Sequence, residues 1–416
     1  MTKNERIILF LLASLNFTHI LDFMIMMPLG NYLMPYFNVS PWQFSLLVGA
    51  YSISAAVSGF AAAFLVDRFD RKKVLLLSYI GFIIGTLSCG IAPTYGLLLG
   101  SRILAGVFGG IIGAQIMSII ADLFAYERRG AAMGAVMSAF AVASTVGVPF
   151  SLYLTNLFKF DWHVPFLLVG GLGILLIPLI YKFIPPMSEH IKRNEQKESP
   201  WKVLENVLDS RIQLQALIFS GLLMMGHFLI IPFLNPYLEF NKGFSKDLTP
   251  MVYLVGGIAS FAAAIFLGRI SDKTGKLPVF SISVFLSLFM VLLITRMPDV
   301  HFSIVLSFFA IWFILATGRA VTAQAMVSEV VKPGQRGSFM SFNGSMQQLG
   351  TTIASLAAGI IVLKDKTGRI ERFNWLGYLS IAILLLSLML GRSLFKKIDR
   401  TAGEAKLERE LLQEST

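Results

Sequence analysis

An acid, two arginines and a histidine stand inside long apolar runs. Asp22 lies in THILDFMIMMP, Arg102 in SRILAGVFGG, His227 in MMGHFLIIP and Arg319 in ATGRAVTAQ. An ionised group in hydrocarbon is expensive unless it is paired, protonated or turned toward a polar cavity. Burial and a neighbouring arginine act on a carboxyl in opposite senses, so Asp22 can take up or release a proton as its surroundings change. The same residues also fit a static ion pair that only fixes helix packing. Thr18 and His19 lie one turn before Asp22 on the same helical face. Gln115, Asn235, Thr322 and Gln324 are further polar candidates for a cavity. His227 fits a proton relay or a hydrogen-bonded packing histidine. Arg319 fits an inner gate, a substrate-anion site or a structural role, and Glu239 an interfacial acid.

The elements that must position these residues follow from composition. The chain has 416 residues, is 55% hydrophobic and only 14% charged, with a mean hydropathy of +0.71. Soluble domains carry about 25% charged residues, and each bilayer crossing takes roughly 20 mostly apolar residues. Spans are predicted over 6–35, 43–66, 74–93, 95–123, 130–156 and 164–184, then 212–239, 249–270, 278–297, 301–326, 337–363 and 373–394. The start, MTKNERIILFLLASLNF, resembles a secretory signal, but its apolar stretch runs on and no A-x-A site follows, so a retained first span is expected. The expectation is an all-α membrane protein of twelve transmembrane helices in two six-helix bundles. The bundles would cover 1–184 and 212–394, with a linker over 185–211 and a tail over 395–416.

The net charge of +11 does not indicate nucleic acid, because the basic residues come in short bursts between apolar runs. Most of them fall on the side of both termini, which the positive-inside rule makes cytoplasmic. In the linker, Trp201, Leu204 and Leu208 have the spacing of a short amphipathic helix on the membrane surface. A floppy tether is the alternative. The halves repeat each other. Asp67 and Arg68 in VDRFDRKK correspond to Asp272 and Lys273 in SDKTGK. Asp122 precedes Arg129-Gly130 as Glu329 precedes Arg336-Gly337, and Met133 and Ser138 recur as Met340 and Ser345.

These motifs resemble the major facilitator superfamily, within it the drug:proton antiporters and arabinose-efflux-permease-like exporters. The family loop G-x-x-x-D-R-x-G-R-K is matched by Asp67, Arg68, Arg71 and Lys72, with Ala63 and Asp70 in place of its glycines. The second copy keeps Gly268, Asp272, Lys273, Gly275 and Lys276. The resemblance implies a gating latch of Asp67, Arg68, Arg71, Asp122, Arg129, Asp272 and Lys273 that holds an outward-open state, the arginines pairing with Asp122 or Glu127. Cations that merely set topology are the alternative. Arg102 followed by Gly106, Gly109 and Gly110 is similar to the family's fourth-span motif, and the glycines suit close helix packing. Gly147 and Pro149 are similar to its fifth-span kink. There Val148 separates the pair and departs from the multidrug pattern toward the arabinose-efflux form. In the family, spans 1, 4, 7 and 10 line a central cavity. Asp22 and Arg102 would then face each other across it as proton-coupling acid and counter-ion. Thr18, His19, Gln115, His227, Asn235, Arg319 and Gln324 would line the cavity.

The expected activity is therefore secondary active export of a small amphipathic compound or drug by proton antiport with alternating access. Export of sugars or related metabolites is one alternative. A non-transporting membrane receptor or scaffold is another, because fold does not fix function. Methionines 24, 26, 27, 224 and 225, with Phe23 and Phe228, suit variable apolar ligands or ordinary packing. Pro232 and Pro236 suit a broken seventh span. Partners are expected to be a small-molecule substrate, protons and the lipid bilayer, with no nucleic acid, in a monomeric protein of the cell inner membrane. No cofactor or metal is expected: Cys89 is the sole cysteine, the histidines lack ligand spacing, and no phosphate loop or hydrolase motif occurs. An enzyme is not expected.

Overall fold

The computed structural model describes residues 3–65, 69–124, 126–159, 161–188, 200–331, 336–365 and 367–414. The first half comprises α1 (Lys3–Ile25), α2 (Gly30–Tyr36), α3 (Pro41–Leu65), α4 (Arg71–Gly90), α5 (Tyr95–Leu123), α6 (Tyr126–Val142), α7 (Val148–Leu157) and α8 (Val164–Phe183). A short helix, α9 (Pro200–Asp209), leads into the second half. That half comprises α10 (Arg211–Phe228), α11 (Ile231–Pro236), α12 (Thr249–Thr274), α13 (Lys276–Thr295), α14 (Phe302–Ser328), α15 (Arg336–Ile361) and α16 (Phe373–Glu414). Between α15 and α16 a two-stranded antiparallel hairpin pairs β1 (Leu363–Lys364) with β2 (Ile370–Glu371).

Prolines set where the predicted spans break. Proline offers no amide hydrogen and its ring crowds the carbonyl four residues back. Span 1, expected to run unbroken over 6–35, instead stops at Ile25, turns over 26–29 around Pro28 and restarts as α2. Pro149 leaves the carbonyl of Thr145 without its donor, and the chain passes through a π-turn over Ala143–Gly147 before α7. Span 7 breaks after Phe228, with Pro232 in the first turn of α11, and Pro236 is followed by a π-turn over Tyr237–Asn241.

Eleven helical segments among the described residues are long and apolar enough to cross a membrane. The twelfth of the expected set, α15, carries Asn343, Gln347 and Gln348 and is more polar. It is wedged between α3 and α10, where those groups meet protein rather than lipid. The large exposed side chains, such as Phe10, Leu77, Phe266 and Met389, form the outward belt that lipid would cover. Helix α16 has 42 residues, a length of roughly 60 Å, about twice the apolar thickness of a bilayer. Its last turns therefore project well past the membrane.

The pairing of helices shows the internal symmetry. In the first half α3 packs on α5, α4 on α5 and α8, and α1 on α6 and α8. In the second half α12 packs on α14, α13 on α14 and α16, and α10 on α15 and α16, which is the same pattern one half later. The two main seams between halves are also equivalent: α3 against α15, and α12 against the π-turn and α7. The fold is thus an all-α major-facilitator-type arrangement of two pseudo-symmetric bundles. Small residues close the seams. Gly359 lies against Ser45 and Gly257 against Thr145; within the second half, Gly350 lies against the backbone of Gly221.

Candidate functional site

Asp22 and Arg102 are brought into direct contact. Nη1 of Arg102 donates to Oδ2 of Asp22 at 2.7 Å, and both side chains are fully buried. They meet inside the first bundle, so the acid and its counter-ion touch and do not face each other across an open space. Tyr51 of α3 completes the pocket, with the guanidinium 4.4 Å from its ring centre. The Thr86 hydroxyl also lies beside the Asp22 carboxyl, although the second oxygen, Oδ1, makes no hydrogen bond of full geometry among the described residues. A guanidinium cannot give up its proton in such a site, whereas a carboxylate can accept one. The pair is neutral as an ion pair. On protonation of Asp22, Arg102 becomes an uncompensated cation in an apolar interior.

Glycines let the pair form. Gly106 and Gly110 place α5 against the backbone of α3. A side chain at Gly106 would run into the carbonyl of Tyr51, and one at Gly110 into the carbonyl of Ala55. Gly109 leaves room for the Tyr51 hydroxyl and the His19 ring.

The other candidates divide. His19 is enclosed by Tyr51 and Phe82, and neither ring nitrogen has a hydrogen-bond partner among the described residues. Thr18 turns inward, its hydroxyl paired with Tyr79 at 3.0 Å. Gln115 is fully buried with both amide atoms unpartnered among the described residues. Gln324 accepts from Gln347 at 3.3 Å. Asn235 is committed at both ends of its amide. It donates to the Pro28 carbonyl at 2.9 Å and accepts from Tyr253 at 3.2 Å, so it ties the two proline breaks together. His227 and Arg319 meet at 2.8 Å between Nδ1 and Nη2. Phe23 and Phe228 meet between the halves as tilted rings with centres 5.8 Å apart. Met26 and Met27 are buried in the core, and Met24, Met224 and Met225 pack against it half-buried.

At the end where α4 begins and α5 finishes, Arg71 pairs with Asp122. Asp70 caps α4, accepting from the Lys73 amide at 3.1 Å, and its other oxygen accepts from the Met187 amide at 2.7 Å. Lys72 donates to the Tyr181 carbonyl at 2.7 Å. The loop therefore grips both α5 and the chain leaving α8. In the second copy Asp272 pairs with Lys276, one turn on, and Lys273 is exposed. Asp67, Arg68 and the side chain of Arg129 lie outside the described residues. Near this end, Phe60 and Phe64 pack on Phe342 of the other half, and Trp201 of α9 lies 4.7 Å from Phe64. A charge-assisted bond such as that of Arg71 to Asp122 contributes about 1.5–3 kcal/mol. Asp122→Asn is therefore expected to lower the melting temperature of the purified protein, and the reversed pair Arg71→Asp with Asp122→Arg to recover part of the loss. An unchanged melting temperature in Asp122→Asn would show that this pair does not hold α4 to α5.

The opposite end holds groups that spacing did not reveal. Asn31 donates to Glu239, Lys246 lies 3.5 Å from Glu239, and Tyr32 donates to Asn156, whose amide reaches the Lys246 carbonyl at 3.0 Å. Lys246 also sits 4.7 Å over the Tyr32 ring. These contacts join the two halves and shut this end. Only Glu239 stood out in the sequence. Asn31, Tyr32, Asn156 and Lys246 sit at span ends, where polar residues are ordinary. Tyr51 likewise gave no signal inside an apolar span. Outside the membrane, Lys242 donates to Asp299 at 2.7 Å and holds that carboxyl below its usual range. A cleft of about 870 Å³ at this end, lined by Trp42, Phe240, Lys364 and Asp365 among others, contains none of the buried polar groups. No cluster of His, Cys, Asp and Glu able to hold a metal occurs among the described residues.

Comparisons with known proteins agree with this architecture. The family model described as Major Facilitator Superfamily matches residues 12–320 and 216–414. The chain is 25% identical over 342 residues to "Uncharacterized MFS-type transporter YceJ" of Bacillus subtilis (strain 168), covering 82% of this chain and 85% of that one. It is 21% identical over 365 residues to "Probable sugar efflux transporter" of Helicobacter pylori (strain G27), covering 88% and 89%. Among solved structures, a bacterial homolog to the human lysosomal transporter Spinster, inward-facing and occupied, superposes with a TM-score of 0.74 at 14% identity, covering 95% of this chain and 98% of that one.

Proposed function

The chain belongs to the Major Facilitator Superfamily and is a multi-pass membrane transporter, and we propose that it exports a small amphipathic compound in exchange for protons. The observation that carries this reading is the Asp22–Arg102 pair, an acid and its counter-ion fully buried within the first bundle. A proton arriving at Asp22 cancels the acid's charge and frees Arg102. The freed arginine biases the bundle toward the arrangement that gives it a new partner, and substrate binding or release is tied to that shift. The halves rock about the Phe23–Phe228 contact; the Asn31–Glu239–Lys246 contacts and the Arg71–Asp122 latch are made together here, and each releases in a different half of the cycle. In this reading the protein is a monomer in a bacterial inner membrane with both termini cytoplasmic, the latch is on the cytoplasmic side, and no cofactor takes part.

A second reading, export of a sugar, is favoured by the Helicobacter pylori relative. The two differ in what the interior must offer. Polyols need many hydrogen-bonding groups, which Gln115, Gln324, Gln347 and Asn343 supply in part. Amphipathic compounds need the apolar surface of Phe23, Phe228 and Trp312. Inverted vesicles with an imposed pH gradient test both. Adding amphipathic compounds is expected to dissipate the gradient, and adding sugars is not. A gradient that responds only to sugars would favour the second reading. A gradient untouched by either panel would end proton-coupled export of these classes.

A further inference from the structure

The two buried arginines are treated differently by the fold. Arg102 has its own carboxylate. Arg319 of α14 is 2% exposed, and its polar side-chain partner is a histidine. A guanidinium only donates, so Nδ1 of His227 must accept, and the ring is neutral with its proton on Nε2. Nη1 of Arg319 makes no hydrogen bond, and no carboxylate pairs with it among the described residues. A full positive charge is thus held in the membrane interior with an open donor edge and no counter-charge among the described residues. Such a charge is expensive to bury, and charged residues kept within spans mark substrate or ion paths.

We propose that Arg319, with His227 beside it, binds the exported compound, and that this compound is an organic monoanion: a carboxylate on an apolar body. The proposal rests on the reading of the chain as an exporter and adds the chemical class of its cargo. The guanidinium fork matches a carboxylate in plane and charge. One uncompensated positive charge matches one negative charge, so a phosphate monoester would bring a second charge that this site leaves unpaired. The surroundings fit the body. The His227 ring lies 5.1 Å from Trp312, whose indole N–H is also unpartnered among the described residues. Phe228, the residue after His227, meets Phe23 of the other half. An anion on Arg319 with its apolar part along these rings would touch both bundles, which is what coupling to their rocking requires.

The test is equilibrium binding to the purified full-length protein in detergent, with hydrocinnamate, indoleacetate and octanoate as probes beside their primary amides and the matching amines. Carboxylates are expected to bind about 30-fold or more tightly than the amides, the usual consequence of leaving a buried charge without its partner. Arg319→Gln is expected to bring the carboxylates down to the level of the amides while leaving the amides where they were, with Arg319→Lys intermediate. Amides or amines binding as well as carboxylates would overturn the proposal. So would an equal loss of both series in Arg319→Gln, or no binding by any probe. The carboxylate–amide comparison needs no variant and decides the matter even if Arg319→Gln fails to fold. Arg319-dependent carboxylate binding without pH-driven transport would sink the exporter reading and leave this site standing. Gradient-driven export of neutral compounds alone would do the reverse.

Discussion

Asp22→Asn is expected to abolish substrate-dependent proton movement while the protein still inserts and binds its cargo. Asparagine keeps the size of the side chain and can still accept from Arg102 Nη1, which sits 2.7 Å from Oδ2 in the native chain. It cannot take up or release a proton, so the exchange loses its drive and transport no longer follows an imposed pH gradient. The variant also leaves Arg102 as an uncompensated buried cation. Breaking a buried pair in this way costs about 3–5 kcal/mol, and the melting temperature should fall accordingly. Adding Arg102→Gln to Asp22→Asn removes the stranded charge and should recover most of the lost stability but none of the coupling. That split separates a proton site from a packing pair. A single variant with normal proton movement would leave Asp22 with a structural role only. A double variant as unstable as the single would mean that the stranded charge is not the cause of the loss.

The largest effect on folding is expected from Gly110→Val. A Cβ at this position of α5 meets the backbone carbonyl of Ala55 and the hydroxyl of Ser58 on α3, and the carbonyl cannot move aside. No rotamer change relieves that clash, so the helices must separate. Overpacking a core costs about 1–3 kcal/mol and occasionally more. Here the same contact also sets the distance of Arg102 from Asp22 and Tyr51, so the variant should yield little folded protein on size-exclusion chromatography. Gly113→Ala, one turn further along α5, is the comparison. Nothing lies within 4 Å of a Cβ there, and alanine favours helix over glycine by about 1 kcal/mol. It should melt at or slightly above the wild-type temperature. Two variants of similar stability would mean that close approach of α3 and α5 does not hold this half together.

Much of the plan is legible in the sequence because the bilayer leaves few choices. Backbone polar groups have no water to turn to, so long apolar runs must be helices. Prolines 149, 232 and 236 could be read as kinks or breaks because each removes a donor, whereas Pro28 interrupts a span expected to run unbroken over 6–35 and Pro178 sits inside the continuous α8. The exact form of each break was not legible: Pro28 gives a full interruption and Pro149 only a π-turn, and neighbouring helices decide between them. The polarity of α15 is a similar case. Its glutamines make it the least membrane-like of the set, and only its place between α3 and α10 shows why that is tolerated.

Asp22, Arg102, His227 and Arg319 were conspicuous by type, since charge in an apolar run is rare and needs a reason. Apolar runs, matching motifs and the rarity of charge therefore made the helical membrane fold, its repeat and the short set of charge-bearing residues readable in advance. Which of these residues meet was settled by the packing of the helices. It gave Arg102 an acid and Arg319, among the described residues, a histidine, used up Asn235 between Pro28 and Tyr253, and assembled a closed end from Asn31, Glu239 and Lys246. The physical reason is range. Burial and helix breaks depend on neighbours along the chain, whereas an ion pair between Asp22 and Arg102 depends on how closely two helices far apart in sequence can pack.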